Sequence, residues 1–99
     1  MGHRLSSRAA SDLEDIWVYV ATESGSVDIA NRLIDSIADR FHLLAAYPYA
    51  GRERNDDLGR GRRTFPVGEY VIIYRIENEQ VWILRVVHGR RNLELLFAD

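Results

Sequence analysis

Length, composition and charge already exclude several kinds of protein. The chain has 99 residues, of which 46% are hydrophobic, enough for one modest core, so we expect residues 1–99 to form a single domain. The absence of cysteine excludes disulfide frameworks, thiolate metal sites and cysteine nucleophiles. No apolar run approaches the roughly 18 residues of a membrane span and no signal-peptide pattern is present, so we expect a cytoplasmic protein without membrane contact.

The first predicted elements are a short strand and an amphipathic helix. The stretch "HRLS" predicts the strand, and we expect Ser7 to cap the helix, because its hydroxyl can accept from an unpaired N–H of the first turn. We expect Asp12 on the solvent side, and the turn signal "ESGS" ends the helix near Glu23. The apolar residues that recur at three- and four-residue steps are Ala10, Leu13, Ile16, Trp17 and Val20.

A second amphipathic helix follows after a turn of about four residues. Ser26 is its expected N-cap, with Asp28 in the first turn, where the helix dipole favours a negative charge. Pro48 ends it, because the residue before a proline is pushed out of helical geometry. Its apolar stripe consists of Ala30, Leu33, Ile34, Ile37, Phe41 and Leu44. The two helices are therefore predicted to form an antiparallel hairpin.

The second half of the chain changes to strand periodicity. After a loop over residues 48–63, the stretches "RTFPV", "YVIIYRIE" and "QVWILRVVH" predict three strands, with "NE" as the turn of a central hairpin. The tail "NLELLFA" could add a short helix anchored by Leu93, Leu96 and Phe97. The order β-α-α-β-β-β, with that optional helix, predicts an α+β fold: an N-terminal strand, then an antiparallel α-hairpin packed on one face of an antiparallel sheet.

Positive charge is concentrated near the C-terminus. All 13 basic residues are arginines, and residues 60–91 hold seven of them against three acids, a net charge of +4 for that segment. Arginine suits phosphate or carboxylate recognition because its planar fork donates two parallel hydrogen bonds. The excess is smaller than that of a dedicated nucleic-acid binder, so an acidic protein partner is equally compatible with it.

Most catalytic and metal-binding patterns are missing. The three histidines, His3, His42 and His88, stand at no metal-ligand spacing, and neither glycine-rich phosphate fingerprint is present. We therefore expect no metal and no cofactor. Ribonuclease chemistry is the serious enzymatic option, with His88 moving a proton and nearby arginines holding the phosphate. Alternatively, His88 only ends a strand, and the arginines pair with Asp56, Asp57 or Glu94. Composition favours this second interpretation.

Three stretches together carry a family resemblance: "RLSSRAASDLEDIWVYVA", "YPYAGRERNDDLGRGRRTFPVGEYVIIYR" and "ILRVVHGRR". In this order and spacing they resemble the ParE branch of the RelE/ParE superfamily, the toxins of bacterial type II toxin–antitoxin modules. The resemblance covers nearly the whole chain. It implies the same α-hairpin on a sheet that the periodicity predicts independently.

The resemblance also separates two activities. RelE-like members are ribosome-dependent mRNA endonucleases, and often carry an arginine three residues before a strand tyrosine and a tyrosine near the end of the last strand. Here the strand tyrosine is similar to Tyr74, Val71 stands in the arginine's place, and Gly89 follows His88. Neither valine nor glycine can hold a phosphate or transfer a proton. The resemblance thus implies a ParE-like inhibitor of DNA gyrase without catalytic residues, His88 being the one weak candidate.

The same resemblance implies partners. A ParD-like antitoxin would form a hetero-oligomer with the toxin and neutralise it, and operator DNA would be reached only through that antitoxin. Val18 and Tyr19 on the helical hairpin are candidate antitoxin contacts, unless they belong to the toxin's own core. The candidate contacts with the target are Arg60, Arg62, Arg63, Arg90 and Arg91. The alternatives are an mRNA endonuclease and an inactive toxin that serves only as antitoxin partner in operon autoregulation.

Overall fold

The computed structural model describes residues 1–97. Three helices and five strands follow one another as β1 (Gly2–Leu5), α1 (Ser7–Ser24), α2 (Val27–Ala46), β2 (Arg52–Glu53), β3 (Arg62–Val67), β4 (Tyr70–Glu77), β5 (Gln80–His88) and α3 (Leu93–Leu96). The strands form one sheet in the order β1-β5-β4-β3-β2. Helices α1 and α2 pack on one face of it, which confirms the α+β architecture.

The sheet is mixed, so the prediction of a purely antiparallel sheet is wrong. β1 pairs with β5 in parallel, with Gly2 opposite Gln80 and Leu5 opposite Ile83, whereas all other neighbours are antiparallel. Parallel neighbours need a long crossover connection, which the helical hairpin supplies. A second difference is β2, two residues inside the predicted loop that pair with β3. The pairing of β1 with β5 joins residues far apart in the sequence, and the pairing of β2 with β3 involves only two residues of β2. Sequence periodicity detects neither.

The caps and the hairpin turn follow from residue chemistry. Ser6, and not Ser7, is the N-cap of α1: its hydroxyl accepts from the Ala9 N–H at 3.0 Å. Ser26 caps α2 as predicted. In the β4–β5 turn both Asn78 and Glu79 have positive φ, 51° and 59°, as a tight two-residue hairpin requires.

Two apolar clusters lie on the two faces of the sheet. We call the larger one, which α1 and α2 cover, the helix-side core; it includes Ile37, Phe41, Leu44, Ile72 and Val86. The opposite face is called the open face. There Leu58, Ile73 and Val87 form a smaller cluster, against which the anchor residues predicted for the tail, Leu93, Leu96 and Phe97, pack. The predicted end of that tail, Ala98, lies outside the described residues.

The loop before β3 is fastened to the helix-side core by Tyr74. Its hydroxyl donates to the Pro48 carbonyl and accepts from the Gly51 N–H, both at 2.8 Å. A Cβ on Gly51 would lie 2.3 Å from the Tyr74 hydroxyl oxygen, so only glycine fits. Burial raises the pKa of Tyr74, which keeps the phenol protonated as a donor.

Within residues 1–97, none of the helices is both long enough and apolar enough to cross a membrane.

Candidate functional site

A buried ion pair fixes α1 to the end of the sheet. Both Asp12 and Arg85 are about 8% exposed. The Asp12 carboxylate accepts from Arg85 Nε at 2.8 Å and Nη2 at 3.0 Å, and also from the Val86 N–H at 2.9 Å. The hydrogen bonds that Arg85 donates to Asp12 raise the pKa of Arg85 above its already high ordinary value. The expectation that Asp12 faces solvent is wrong, because Ala9, Asp12 and Ile16 form the buried stripe of α1.

A β-bulge in β5 lies directly next to Arg85, the cation of this ion pair. Tyr74 lies opposite Ile83 and Ile73 opposite Arg85, so that Leu84 has no partner on β4. The extra residue re-aims the strand, as bulges do. The Ser6 hydroxyl donates to the Leu84 carbonyl at 2.8 Å while it caps α1, so one side chain joins the bulge to the start of the helix.

Beyond the ion pair, a groove of about 360 Å³ opens between α1 and the ends of β4 and β5. Its lining combines the apolar side chains of Ile16, Val86 and Val87 with the polar and aromatic side chains of Asp12, Asp15, Tyr19, Tyr70, His88 and Arg91. Burial, followed by the nearby Glu69 carboxylate, raises the pKa of Tyr70, so this phenol stays neutral. The groove is therefore suited to a partner segment that carries both apolar and polar groups.

His88 is held in this groove by three neighbours. Its Nδ1 accepts from the Arg90 N–H at 3.1 Å, its ring stands edge-on to Tyr70 with centroids 5.5 Å apart, and its Nε2 lies 3.8 Å from Glu69 Oε2. With Nδ1 occupied as an acceptor, the neutral ring carries its proton on Nε2. The histidine that the sequence singles out thus projects to the helix side of the sheet.

The two positions that distinguish the nuclease pattern lie together on the other side. Gly89 donates to the Glu69 carbonyl at 2.8 Å, and a Cβ on Gly89 would lie 3.4 Å from Val71 Cγ2. Val71 packs in the open-face cluster, away from the groove of His88. Neither position supplies a polar side chain, and His88 does not project toward them.

The sequence of this chain is similar to that of a known protein family. The family model described as "ParE toxin of type II toxin-antitoxin system, parDE" matches residues 4–93. The chain belongs to this family of toxins. Toxin ParE3 of Caulobacter vibrioides is 39% identical over 94 residues, covering 94% of this chain and 92% of that protein, and Toxin ParE1 of the same organism is 34% identical over 93 residues, covering 91% of each.

Solved structures show the same fold. The chromosomal ParDE toxin–antitoxin system from P. aeruginosa superposes with a TM-score of 0.77 at 21% identity, covering 89% of this chain and 95% of that one. The toxin–antitoxin complex RelBE2 from Mycobacterium tuberculosis gives a TM-score of 0.65 at 24% identity, covering 88% and 95%. At these identities the likeness is one of fold. It confirms that this ParE-family chain has the architecture shared by the RelE and ParE branches.

The structure divides the five predicted target-contact arginines into two groups. Arg62 lies opposite Arg75 at one end of β4, whereas Arg90 and Arg91 follow His88, which pairs with Tyr70 at the other end. Five residues of strand, about 17 Å, separate the two ends. Arg60 is exposed, like Arg90 and Arg91. The five arginine side chains therefore do not form a single basic surface.

Two of these arginines are partly engaged in the fold itself. Arg63 pairs with Glu53 at 2.9 Å and donates to the Gly51 carbonyl at 2.8 Å, and Arg62 donates to the Leu58 carbonyl while its guanidinium lies 4.0 Å from the centre of the Phe97 ring. The three acids suggested by the sequence as partners of the arginines form no salt bridge with Arg62 or Arg63 within residues 1–97; these acids are Asp56, Asp57 and Glu94. Asp57 pairs with Arg54 instead.

The two candidate antitoxin contacts are exposed. Val18 is 56% and Tyr19 62% exposed, so they do not belong to the toxin's own core, which removes the alternative interpretation of both. Tyr19 also lines the groove of His88. Whether an antitoxin covers them stays a prediction.

Two of the three histidines, although far apart in the sequence, lie side by side in the structure. The rings of His3 on β1 and His42 on α2 stand edge-on with centroids 5.1 Å apart, and burial together with His42 lowers the pKa of His3. Residues 1–97 contain no cluster of three or more side chains suited to holding a metal ion. Sequence distance therefore missed a contact between two imidazoles.

Proposed function

We propose that this toxin arrests growth by binding DNA gyrase, without catalysis of its own, and that a ParD-like antitoxin neutralises it. The observation that carries the proposal is the pair of positions Val71 and Gly89, adjacent in space and both without a polar side chain. In the nuclease branch those positions are expected to hold an arginine and a tyrosine.

Cleavage of RNA through its own 2′-hydroxyl needs one group to take a proton, another to give one, and a cation at the phosphate. His88 could fill one role, but it projects into the groove against α1. The place where the missing helpers would stand is on the opposite face. A single histidine without a second proton-transfer group beside it is a poor nuclease, which favours an inhibitor that acts by binding.

The proposed contacts with gyrase are the five arginines named above, Arg60, Arg62, Arg63, Arg90 and Arg91. Of these, Arg90 and Arg91 are exposed and make no salt bridge within residues 1–97, so their charges are free to meet an acidic partner. Arg91 also borders the groove of His88 and Tyr19. We therefore expect the end of β5 to contribute more to target binding than the start of β3.

The proposed antitoxin contact is the outer face of the helical hairpin. Large apolar side chains exposed to this extent are typical of surfaces that a partner covers. Val18 and Tyr19 on α1 are joined there by Val27 and Ile29 at the start of α2, each at least half exposed. The antitoxin would form a hetero-oligomer with the toxin, and operator DNA would be contacted only through the antitoxin.

A side-by-side assay tests the proposal. Purified toxin is added to a gyrase supercoiling reaction and, separately, to a translating extract whose mRNA is mapped for ribosome-dependent cuts. We expect inhibition of supercoiling and intact mRNA. Arg90→Gln with Arg91→Gln should lose inhibition while the fold is kept, whereas His88→Ala should inhibit like the unmodified chain. Cut mRNA that becomes intact with His88→Ala would establish the nuclease alternative.

A further inference from the structure

A row of cationic side chains crosses the open face of the sheet. The register pairs Arg4 with Trp82, Trp82 with Arg75, and Arg75 with Arg62, in a line over β1, β5, β4 and β3. We call these four residues the arginine row. Neighbouring strands lie about 4.8 Å apart, so the row spans roughly 14 Å.

The side chains of the row all project away from α1 and α2. Successive residues of a strand point to opposite faces. Val81 and Ile83 lie in the helix-side core, so Trp82 between them points to the open face, and Arg4 does the same because Leu5 packs on the helix side. Arg62 and Arg75 line one groove of about 390 Å³ with Leu84, Leu96 and Phe97.

The row holds more positive charge than the fold neutralises. Arg62 and Arg75 are direct cross-strand neighbours of like charge, an arrangement that destabilises a sheet. Only Arg75 has an acid partner, Glu77 at 2.6 Å, while Arg4 and Arg62 form no salt bridge within residues 1–97. Arg8 of α1 lines the same groove, also without a salt bridge there. Unneutralised neighbouring cations are suited to an anionic ligand.

We propose that the arginine row binds an acidic, amphipathic peptide segment, whose carboxylates meet the arginines and whose apolar side chains rest on Leu84, Leu96 and Phe97. A helix that crosses the strands places one residue per turn at intervals of about 5.4 Å. That interval is close to the strand spacing of the row, so carboxylates on the turns over β1, β4 and β3 can meet Arg4, Arg75 and Arg62, while the turn between the first two lies over Trp82 on β5. The proposal holds whichever intracellular target the toxin has.

The state of the aromatic rings favours a peptide over a single-stranded nucleic acid. Proteins that bind single strands stack bases on free aromatic rings. Here Arg62 covers the Phe97 ring at 4.0 Å, and the Arg4 guanidinium lies 5.9 Å from the Trp82 ring centre. The Trp82 Nε1–H is buried and has no acceptor within residues 1–97. Stacked guanidinium groups keep their edge N–H donors free for carboxylates.

The chain offers its own reporter for the test. It has two tryptophans, and Trp17 lies on the helical hairpin with its Nε1 donating to Asn31 Oδ1. In a Trp17→Phe chain the fluorescence reports Trp82 alone. Three labelled helical peptides of about 15 residues carry Glu, Gln or Lys once per turn on the same Leu and Ala background. Binding is measured at low salt by anisotropy and by the Trp82 signal.

We expect the Glu peptide to bind, to shift the Trp82 signal and to weaken with added salt. The triple variant Arg4→Gln, Arg62→Gln, Arg75→Gln should bind roughly tenfold more weakly, and the control Arg32→Gln, an exposed arginine of α2, less than about twofold. Circular dichroism monitors the fold. If the triple variant unfolds, the exposed Arg4→Gln alone should weaken binding by roughly two- to fivefold.

Three outcomes would overturn the proposal. A Glu peptide that binds no more tightly than the Gln peptide would remove the role of carboxylates. Binding unchanged in a folded triple variant would place the site elsewhere. An oligothymidylate that binds more tightly than the Glu peptide, with the same dependence on the row, would identify the face as a nucleic-acid surface.

Discussion

On the helix side of the sheet the apolar core is continuous, and the buried ion pair of Asp12 and Arg85 joins α1 to β5, whereas the open face combines a small apolar cluster with neighbouring arginines. In that ion pair each buried charge is neutralised by its partner, and the Asp12 carboxylate accepts three hydrogen bonds. The open face leaves Arg62 beside Arg75 with one carboxylate between them. One face is built for stability and the other retains charge for contact, so substitutions on the two faces should differ in kind.

The largest expected effect is that of Asp12→Ala. The change leaves the Arg85 guanidinium and the Val86 N–H buried without an acceptor, and breaking such a pair costs about 3–5 kcal/mol. Urea unfolding measures the loss. Asp15→Ala, an exposed acid on the same helix, is the control and should cost less than about 0.5 kcal/mol. Equal, small losses for both variants would show that the helix side does not depend on its ion pair.

Next in size is Gly51→Ala, which tests how tightly the helix-side core holds the loop before β3. The new Cβ would meet the Tyr74 hydroxyl at 2.3 Å and displace it from its hydrogen bonds to Pro48 and Gly51. Overpacking of this kind costs about 1–3 kcal/mol. The melting temperature of Gly51→Ala should be well below that of Gly2→Ala, where a Cβ meets nothing within 4 Å. Similar melting temperatures would mean that the loop shifts freely.

A smaller loss is expected for Ser6→Ala. The hydroxyl both caps α1 and holds the Leu84 carbonyl of the bulge, and an N-cap alone contributes about 1 kcal/mol, so we expect a loss of about 1–2 kcal/mol. Ser7→Ala is a matched control one residue away, exposed and inside the helix. If Ser7→Ala costs more in urea unfolding, the cap predicted from the sequence is the correct one.

Local sequence patterns predicted the helices and strands. The features that they missed depend on pairing between residues far apart in the chain. Helical steps, strand alternation and the Asn78–Glu79 turn depend on neighbouring residues, so they could be predicted. The parallel partner of β1 and the bulge at Leu84 depend on residues far apart in the chain. Asp12 could have been found from one signal: an arginine inside an apolar strand, Arg85, needs a buried acid nearby.

The candidate site divides in the same way. His88 and the arginines could be recognised by residue type alone, because their chemistry is independent of the fold. Their grouping could not, since Arg62 and Arg90 stand at opposite ends of β4 only through the strand register. Tyr19 and Tyr70 join His88 in one groove because α1 packs over the sheet end, which no spacing in the sequence shows.

The smallest expected effect on stability belongs to Arg75→Gln on the open face. The variant loses the exposed pair with Glu77 but also the like charge beside Arg62, so the net change should stay within about 0.5 kcal/mol. Salt tests this balance. In the unmodified chain added salt screens both the repulsion between Arg62 and Arg75 and the attraction between Arg75 and Glu77, and the variant has neither interaction.

Urea unfolding at low and high ionic strength should therefore show nearly the same effect of salt on the unmodified chain and on Arg75→Gln, within about 0.5 kcal/mol, with Arg32→Gln as the control for general charge effects. A loss above about 1 kcal/mol for Arg75→Gln that added salt reduces would contradict the distinction between the two faces. Arg75 would then support the fold as Arg85 does, and the row would have no charge to spare for a ligand.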